Sequence, residues 1–424
     1  MSKPSDPPAP RRPKARSTAL RWLGCAQMLA IGAAPVFAQP APEPVRDAQA
    51  AVGDTLPNAP PNAPPNAPTK GRARFTDPAD GQLDLSLMLE SARGFLPIPI
   101  VVTEPAVGYG GGAAGMFLRP REEAGKAGWA RPDISGAGAF GTQNGTWGAF
   151  AGDASRWFDG RLRTLAGGGA GQANLDFYAL GSDRASQDQK VRYSLAFSGA
   201  VAQANWQLAP GSPWALGTRY VLAQVEPKLR DAPSVPGLAD RVRMTISAPT
   251  AILEFDSRDK VFTPTRGVYA ESSLMASREA LGASDDFERF DQIVMGWLPL
   301  KHGVTLGARA DYAWASQGTP FFLRPFVPLR GVPAMRYQGD QMAAVEAELR
   351  WQFMGRWSLV GFGGAGTTRT ARDSFVATQG VGSGGVGFRY ELARKFGLHA
   401  GIDVAHSAGT TAVYLQVGNA WFRP

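Results

Sequence analysis

Sulfur chemistry is almost absent from this chain. Among 424 residues there is one cysteine, Cys25, and there are three histidines, His302, His399 and His406. Cys25 lies in a basic-then-apolar stretch at the N-terminus, so the rest of the chain has no disulfide framework and no thiol nucleophile. Three dispersed histidines without a cysteine argue against a structural metal site, and no cofactor is expected. Beyond residue 38 no stretch approaches the 18 or more uncharged apolar residues of a transmembrane helix. A chain of this kind that spans a membrane does so with strands, because only helices and closed barrels satisfy every backbone group in lipid. An excess of one charge is also lacking. Six of the 44 basic residues and one of the 36 acidic ones precede residue 39, which leaves 38 against 35, a net of +3. The overall basic balance therefore carries no argument for a nucleic-acid partner.

The first residues read as an address. Arg11, Arg12, Lys14, Arg16 and Arg21 lead into a mostly apolar run from Trp22 to Phe37, and Val36-Phe37-Ala38 offers small residues for cleavage. Residues 1–38 are read as a signal peptide. Residues 39–80 are read as a disordered linker, with Pro57-Asn58-Ala59-Pro60 followed by two further copies, a composition that favours extended chain and buries nothing. Residues 81–96 are ambiguous between a strand (Leu83, Leu85, Leu87, Leu89) and a short helix, and are assigned to a short periplasmic segment plugging or flanking the barrel mouth.

From residue 97 to 424 the chain is a succession of strand-like runs. Val304 to Trp314 alternates without a break, and so does Val345 to Phe353, where Val345, Ala347, Leu349, Trp351 and Phe353 share one face and Glu346, Glu348, Arg350 and Gln352 the other. A soluble sheet and a membrane barrel both fit this pattern. The connection between the two runs decides. Phe321, Phe322, Leu323, Phe326, Val327 and Leu329 are too apolar for a loop left in solvent, whereas a loop folded into a lumen would be covered. The expected fold is all-β, a transmembrane antiparallel β-barrel with an inward-folded extracellular loop. About fifteen runs are visible; single-chain bacterial barrels have an even number, so about 16 strands are expected, the missing one near Ile98 or within Leu162 to Tyr178. The apolar phase of Val242 to Phe255 changes at Pro249, which suggests a bulge.

Within the loop, Leu329-Arg330-Gly331-Val332-Pro333-Ala334-Met335-Arg336-Tyr337-Gln338-Gly339-Asp340 resembles the arginine-glycine loop of the BamA/TamA outer-membrane assembly family, the bacterial surface antigen family. Arg330, Gly331, Tyr337, Gly339 and Asp340 match; Val332 stands where an aromatic is usual. The resemblance implies that the loop tucks into the barrel and that Arg330 pairs with acids on the following strands. Glu348 occupies the usual acidic position, with Glu346 on the same face. The second acid of a Phe-x-Asp-x-Gly pattern is missing, since Phe362-Gly363-Gly364-Ala365-Gly366 puts Gly364 there; Asp311 and Asp403 are the candidate substitutes. An inward arginine needs such partners, because an unpaired buried charge is very costly.

Two further matches follow. Asp256 and Asp259 precede a Pro264-x-x-Gly267 turn, similar to a periplasmic turn of the family; the same residues also read as a polar hairpin turn. Val413-Tyr414-Leu415-Gln416-Val417-Gly418-Asn419-Ala420-Trp421 resembles the C-terminal signal of barrel proteins, with Val413, Leu415, Val417 and Trp421 expected toward lipid and Tyr414, Gln416 and Gly418 between them. The likeness covers the barrel only, for nothing before residue 97 has the length of the family's chaperone-docking domains.

The resemblance implies an integral outer-membrane barrel, in contact with outer-membrane lipid, that assists insertion or translocation of client outer-membrane or secreted proteins, or of lipids. Weak pairing of the first and last strands would serve this, with glycine-rich Val107 to Gly115 at the first-strand position. The alternative is a passive pore. An enzyme is not expected. Gly110, Gly112 and Gly115 satisfy a dinucleotide pattern but lack a following helix, and His406 and Ser407, adjacent on a strand, would point to opposite faces.

Overall fold

A computed structural model describes residues 75–91, 94–119, 133–178, 190–230, 243–372 and 375–421. The expected signal peptide, the linker as far as residue 74 and the terminal Phe422-Arg423-Pro424 lie outside these residues.

The alternating runs form sixteen strands in one antiparallel sheet, each hydrogen-bonded to the next in chain order. They are β1 (Gly94–Val102), β2 (Gly110–Arg119), β3 (Asp133–Thr142), β4 (Trp147–Trp157), β5 (Leu162–Tyr178), β6 (Lys190–Gln207), β7 (Trp214–Leu229) and β8 (Met244–Asp256), then β9 (Gly267–Ser277), β10 (Phe287–Pro299), β11 (Val304–Ala315), β12 (Gln341–Met354), β13 (Trp357–Arg372), β14 (Phe375–Ala393), β15 (Leu398–Ser407) and β16 (Thr410–Val417). A short helix, α1 (Ser86–Ser91), precedes them. The strand missing from the sequence count is β1, around Ile98; β5 runs unbroken. The barrel therefore begins at Gly94, so the last three residues of the stretch assigned to the periplasmic segment, 94–96, belong to β1. The glycine-rich run at Gly110–Gly115 belongs to the second strand, not the first.

The barrel is inverted relative to a soluble sheet. On β12, Val345, Leu349 and Trp351 are exposed while Glu346 and Arg350 are buried in the lumen. Only the side facing lipid offers these apolar residues a favourable environment.

The interior has two zones. Near the loop-bearing end, inward side chains are apolar: Tyr193 and Leu195 of β6, Val225 of β7 and Ile246 of β8 pack on Phe321, Phe322, Leu323 and Met335 of the connection at residues 316–340. Deeper in, they are charged. This zoning accounts for the phase change seen at Pro249. The β7–β8 register runs without a shift from Val225↔Met244 to Trp214↔Phe255, so there is no bulge. Met244, Ile246 and Ala248 point inward under the loop, while Leu253 and other odd-numbered residues point outward. Pro249 instead limits the β8–β9 ladder, which begins only at Thr250. On the same edge, Thr245 and Ser247 accept hydrogen bonds from Ser284 and Arg278 of the β9–β10 connection. A proline at the next position on that edge has no donor to extend the ladder.

Candidate functional site: an arginine clamp beside the seam

The inward connection delivers Arg330 to the polar zone. Its Nε donates to Glu346 Oε1 at 2.7 Å, and its Nη1 lies 2.8 Å from both Glu348 and Asp403. A further guanidinium nitrogen meets Glu346. The guanidinium also lies over the Phe362 ring, 3.5 Å from its centroid. Such a planar fork is suited to several carboxylates at once, and its weak hydration lowers the cost of enclosure. Register explains the convergence. Glu346 and Glu348 share the inner face of β12, and Asp403 projects from β15 between Tyr414 of β16 and Gly387 of β14. Arg389 binds the same Asp403 at 2.5 and 2.9 Å. Asp403 thus takes the role expected of an acid at residue 364. Asp311, the other candidate, is engaged with Arg309 at 2.6 Å.

Gly364 is occupied space rather than a vacancy. A Cβ there would lie 2.6 Å from the Val345 carbonyl and 2.9 Å from Leu329 Cδ2. At Gly366 it would meet Val327 at 2.5 Å. These glycines seat the loop, so the acid has moved to another strand.

The rest of the motif is dispersed. Gly331 has φ +87° and packs on Ala405 and the His406 backbone, and its N–H donates to the Tyr414 hydroxyl at 2.9 Å. Tyr337 does not reach Arg330: its carbonyl accepts from Val327 N–H at 3.1 Å, and Arg336 stacks on its ring. Asp340 fastens the base of the connection, 3.6 Å from Arg324 and accepting from Ala371 N–H at 3.3 Å.

The β8–β9 turn is more than a solvated hairpin. Asp256 grips Arg258 through two hydrogen bonds of 2.9 and 2.7 Å, and Arg258 stacks on Tyr269. Asp259 accepts from the N–H groups of Thr265 and Arg266 at 2.9 and 3.2 Å. The Pro264 carbonyl accepts from Arg350 on the inner face of β12. Gly267 has φ +104°, and a Cβ there would lie 2.3 Å from the Ser257 carbonyl. The turn is thereby folded into the mouth that bears the termini.

At the C-terminus, Val413, Leu415 and Val417 face outward as expected, and Tyr414 and Gln416 face inward. Trp421 does not face lipid. Gly418, at φ +84°, ends β16 and turns the chain under the barrel. Trp421 is buried there, donates to Glu346 at 3.0 Å and packs on Trp297. Asn419 donates to the Phe262 carbonyl of the β8–β9 turn at 3.1 Å.

Two features were not legible beforehand. The first is Glu104, between β1 and β2, whose carboxylate accepts from Ala334 N–H at 3.1 Å and Ala106 N–H at 3.2 Å. The loop tip thus touches the β1 side through Glu104 and the β16 side through Tyr414. The second is Arg356, fully buried in the β12–β13 turn, where Asp77, Asp80 and Asp84 surround it at 2.5, 2.7 and 2.6 Å. Residues 75–80, read as linker end, are held there against the barrel rim. The dinucleotide-like Gly110–Gly115 lies wholly within β2. His406 and Ser407 diverge, the first meeting Thr411 and the second donating to the Gly382 carbonyl at 2.7 Å.

No protein-family model and no curated protein matches the sequence. Solved structures do match. They include BamA from Haemophilus ducreyi lacking POTRA domains 1–3, at 11% identity and a TM-score of 0.52, with 77% of this chain and 69% of that one covered. They also include CdiB from Escherichia coli, at 10% identity and a TM-score of 0.54, covering 76% and 62%, and CdiB from Acinetobacter baumannii, at 8% and 0.52, covering 76% and 59%. The chain spans less than two thirds of either CdiB. With sixteen strands in sequential order and a charged loop folded inside, the fold is that of the BamA-like outer-membrane barrels.

Proposed function

We propose that this barrel assists insertion or translocation of polypeptides, or of lipid, at the outer membrane, through the seam between β1 and β16. The observation that carries this reading is the pair Pro97 and Pro99 in β1. The β1–β2 ladder is unbroken from Gly94↔Leu118 to Val102↔Gly110. Imide nitrogens cannot donate, so an unbroken ladder leaves both prolines with their nitrogens on the opposite edge, toward the seam. Among the described residues the sheet order runs from β1 to β16 with no pairing that joins its ends. An edge with two donors removed pairs weakly with its barrel partner. It remains able to accept hydrogen bonds from an incoming strand.

The loop tip supports the same reading. It contacts Glu104 on one side of the seam and Tyr414 on the other, so clamp and seam are mechanically linked. No catalytic role is part of the proposal.

The test uses cysteine pairs, one on β1 between Phe95 and Val101 and one on β16 between Thr411 and Leu415, in a mature chain that otherwise lacks cysteine. Outer-membrane protein content is then compared between oxidised and reduced cells. Selective loss of one or several barrel or secreted proteins on cross-linking, reversed by reductant, is the expected result. An unchanged profile with the seam fully cross-linked would sink the seam reading and favour a pore, for which conductance is the next measurement.

A further inference from the structure

The Arg356 knot positions a segment three of whose apolar side chains are only about half covered by protein. Phe75, Leu83 and Leu87 are 42%, 51% and 42% exposed. Their place in the fold says what covers them. β14 extends three residues beyond its pairing with the start of β13, and there the Leu392 carbonyl accepts Leu85 N–H at 2.8 Å. The Leu83 carbonyl accepts from the hydroxyl of Tyr390 at 2.8 Å. Tyr390 stands on the outer wall of the barrel, its ring edge-on to Trp357 at 4.9 Å, and Trp357 also neighbours Phe388. Phe353, Met354 and Trp357 are exposed on the same wall. Gln82 lies against Gly355 in the turn that joins β12 to β13. Residues 75–91 therefore do not plug the lumen. They lie along the outer rim, continuous with the lipid-facing wall and at the level where its aromatic side chains gather.

We propose that residues 75–91 form an interfacial anchor whose partner is the phospholipid headgroup layer at the termini end of the barrel. The occupant follows from continuity: the wall on which the segment is docked faces lipid by its fold, and Phe75, Leu83 and Leu87 extend that apolar surface past the last strand residues. Tyrosine and tryptophan with one polar end are suited to this depth, as are short apolar segments tied down at one side. Arg356 and Arg394 together ion-pair all three carboxylates, Asp77 and Asp80 meeting both arginines and Asp84 meeting Arg356, so none of these acids is left without a cation although three anions face two cations. The anchor is independent of seam opening and rests only on the barrel lying in a bilayer.

The experiment uses the mature barrel in phosphatidylcholine vesicles. Single cysteines replace Leu83 (L83C) or Leu87 (L87C), each labelled with an environment-sensitive fluorophore. Lys301→Cys in the β10–β11 turn is the water-facing control, and Leu359→Cys on the outer wall is the lipid-facing one. Folding of each variant is verified by heat-modifiable gel mobility. Lipids spin-labelled near the headgroup should quench positions 83 and 87 about twofold or more above the Lys301 control. Spin labels deep in the acyl chains should quench Leu359→Cys more than either. Quenching at 83 and 87 equal to that of the Lys301 control would overturn the anchor. So would quenching by deep labels as strong as at 359, which would place the segment in the bilayer core. Neither result bears on the seam.

Discussion

Two arginines in this barrel, Arg330 and Arg356, are each buried and each surrounded by three carboxylates, yet the two arrangements are built in opposite directions. Arg330 is carried by a loop, and its acids Glu346, Glu348 and Asp403 are fixed on strands. Arg356 is fixed in a tight turn, and its acids Asp77, Asp80 and Asp84 are carried by a terminal segment. The difference decides what happens when either pair is broken. Strand-borne acids inside the lumen have nowhere to go. Acids on a terminal segment can leave with it and regain water, so the cost of breaking them is capped by the free energy of local detachment.

Arg330→Ala sharpens this comparison most. It leaves Glu346 and Glu348 without their shared cation and Asp403 with Arg389 alone. Removing one partner of such a buried cluster costs ~3–5 kcal/mol. Urea unfolding of the reconstituted barrel should show that loss globally. Arg330→Lys should recover less than half, because a point charge cannot serve three carboxylates in fixed directions. Arg356→Ala should leave the unfolding midpoint of the barrel almost unchanged while residues 75–91 become protease-sensitive. Equal global destabilisation by both substitutions would show that the segment is integral to the barrel and that the comparison is mistaken.

The two sites also differ in how far they could be read from the chain. The period-two pattern of Val304–Trp314 and Val345–Phe353 carried the barrel, because in a lipid-embedded sheet that pattern reports both faces at once. It hid β1, whose Pro97 and Pro99 interrupt the usual strand composition, and it suggested a bulge at Pro249 because an inner wall covered by a loop is apolar too. The Arg330 clamp was legible since its acids lie 16 and 18 residues along one strand face; Asp403 was only one of two candidates, since register between distant strands is not written in either strand alone. The Arg356 knot was not legible. Asp77, Asp80 and Asp84 stand at the end of a proline-rich stretch that resembles linker, and their partner is more than 270 residues away. Strand alternation carried on to Trp421 points it toward lipid, but the positive φ of Gly418 ends that alternation three residues earlier.

Gly364→Asp tests the clamp at an intermediate scale. The family pattern places an acid at this position, so a reading by analogy expects the substitution to strengthen the clamp. The packing predicts the reverse. The new Cβ collides with the Val345 carbonyl and with Leu329, and overpacking of this kind costs ~1–3 kcal/mol. Leu329→Ala in the same chain should return part of the loss by relieving the side-chain contact. A stabilised Gly364→Asp barrel, measured by urea midpoint, would show that Leu329 yields its seat and that Asp403 is dispensable.

The smallest effect expected is local and pH-dependent, and it isolates the other arginine. Burial pushes the Asp84 carboxyl up, but hydrogen bonds from Ser86 and Arg356 outweigh it and hold the group at about 2. Asp80 is also lowered, chiefly by its hydrogen bond from Arg356 and then by the Gln82 N–H. A carboxylate depressed in the docked state stabilises docking fully above its ordinary range and loses that contribution as pH falls through the docked value. The segment should therefore stay protected down to roughly pH 4 and be released between there and about pH 2. Hydrogen exchange of residues 75–91 in the reconstituted barrel reads this directly, with β12 as the internal reference. Asp84→Asn should weaken protection at neutral pH and flatten its acid dependence. Release already at pH 5 to 6, or none by pH 2, would mean that the carboxylates do not hold the segment and that its apolar side chains in the lipid interface do.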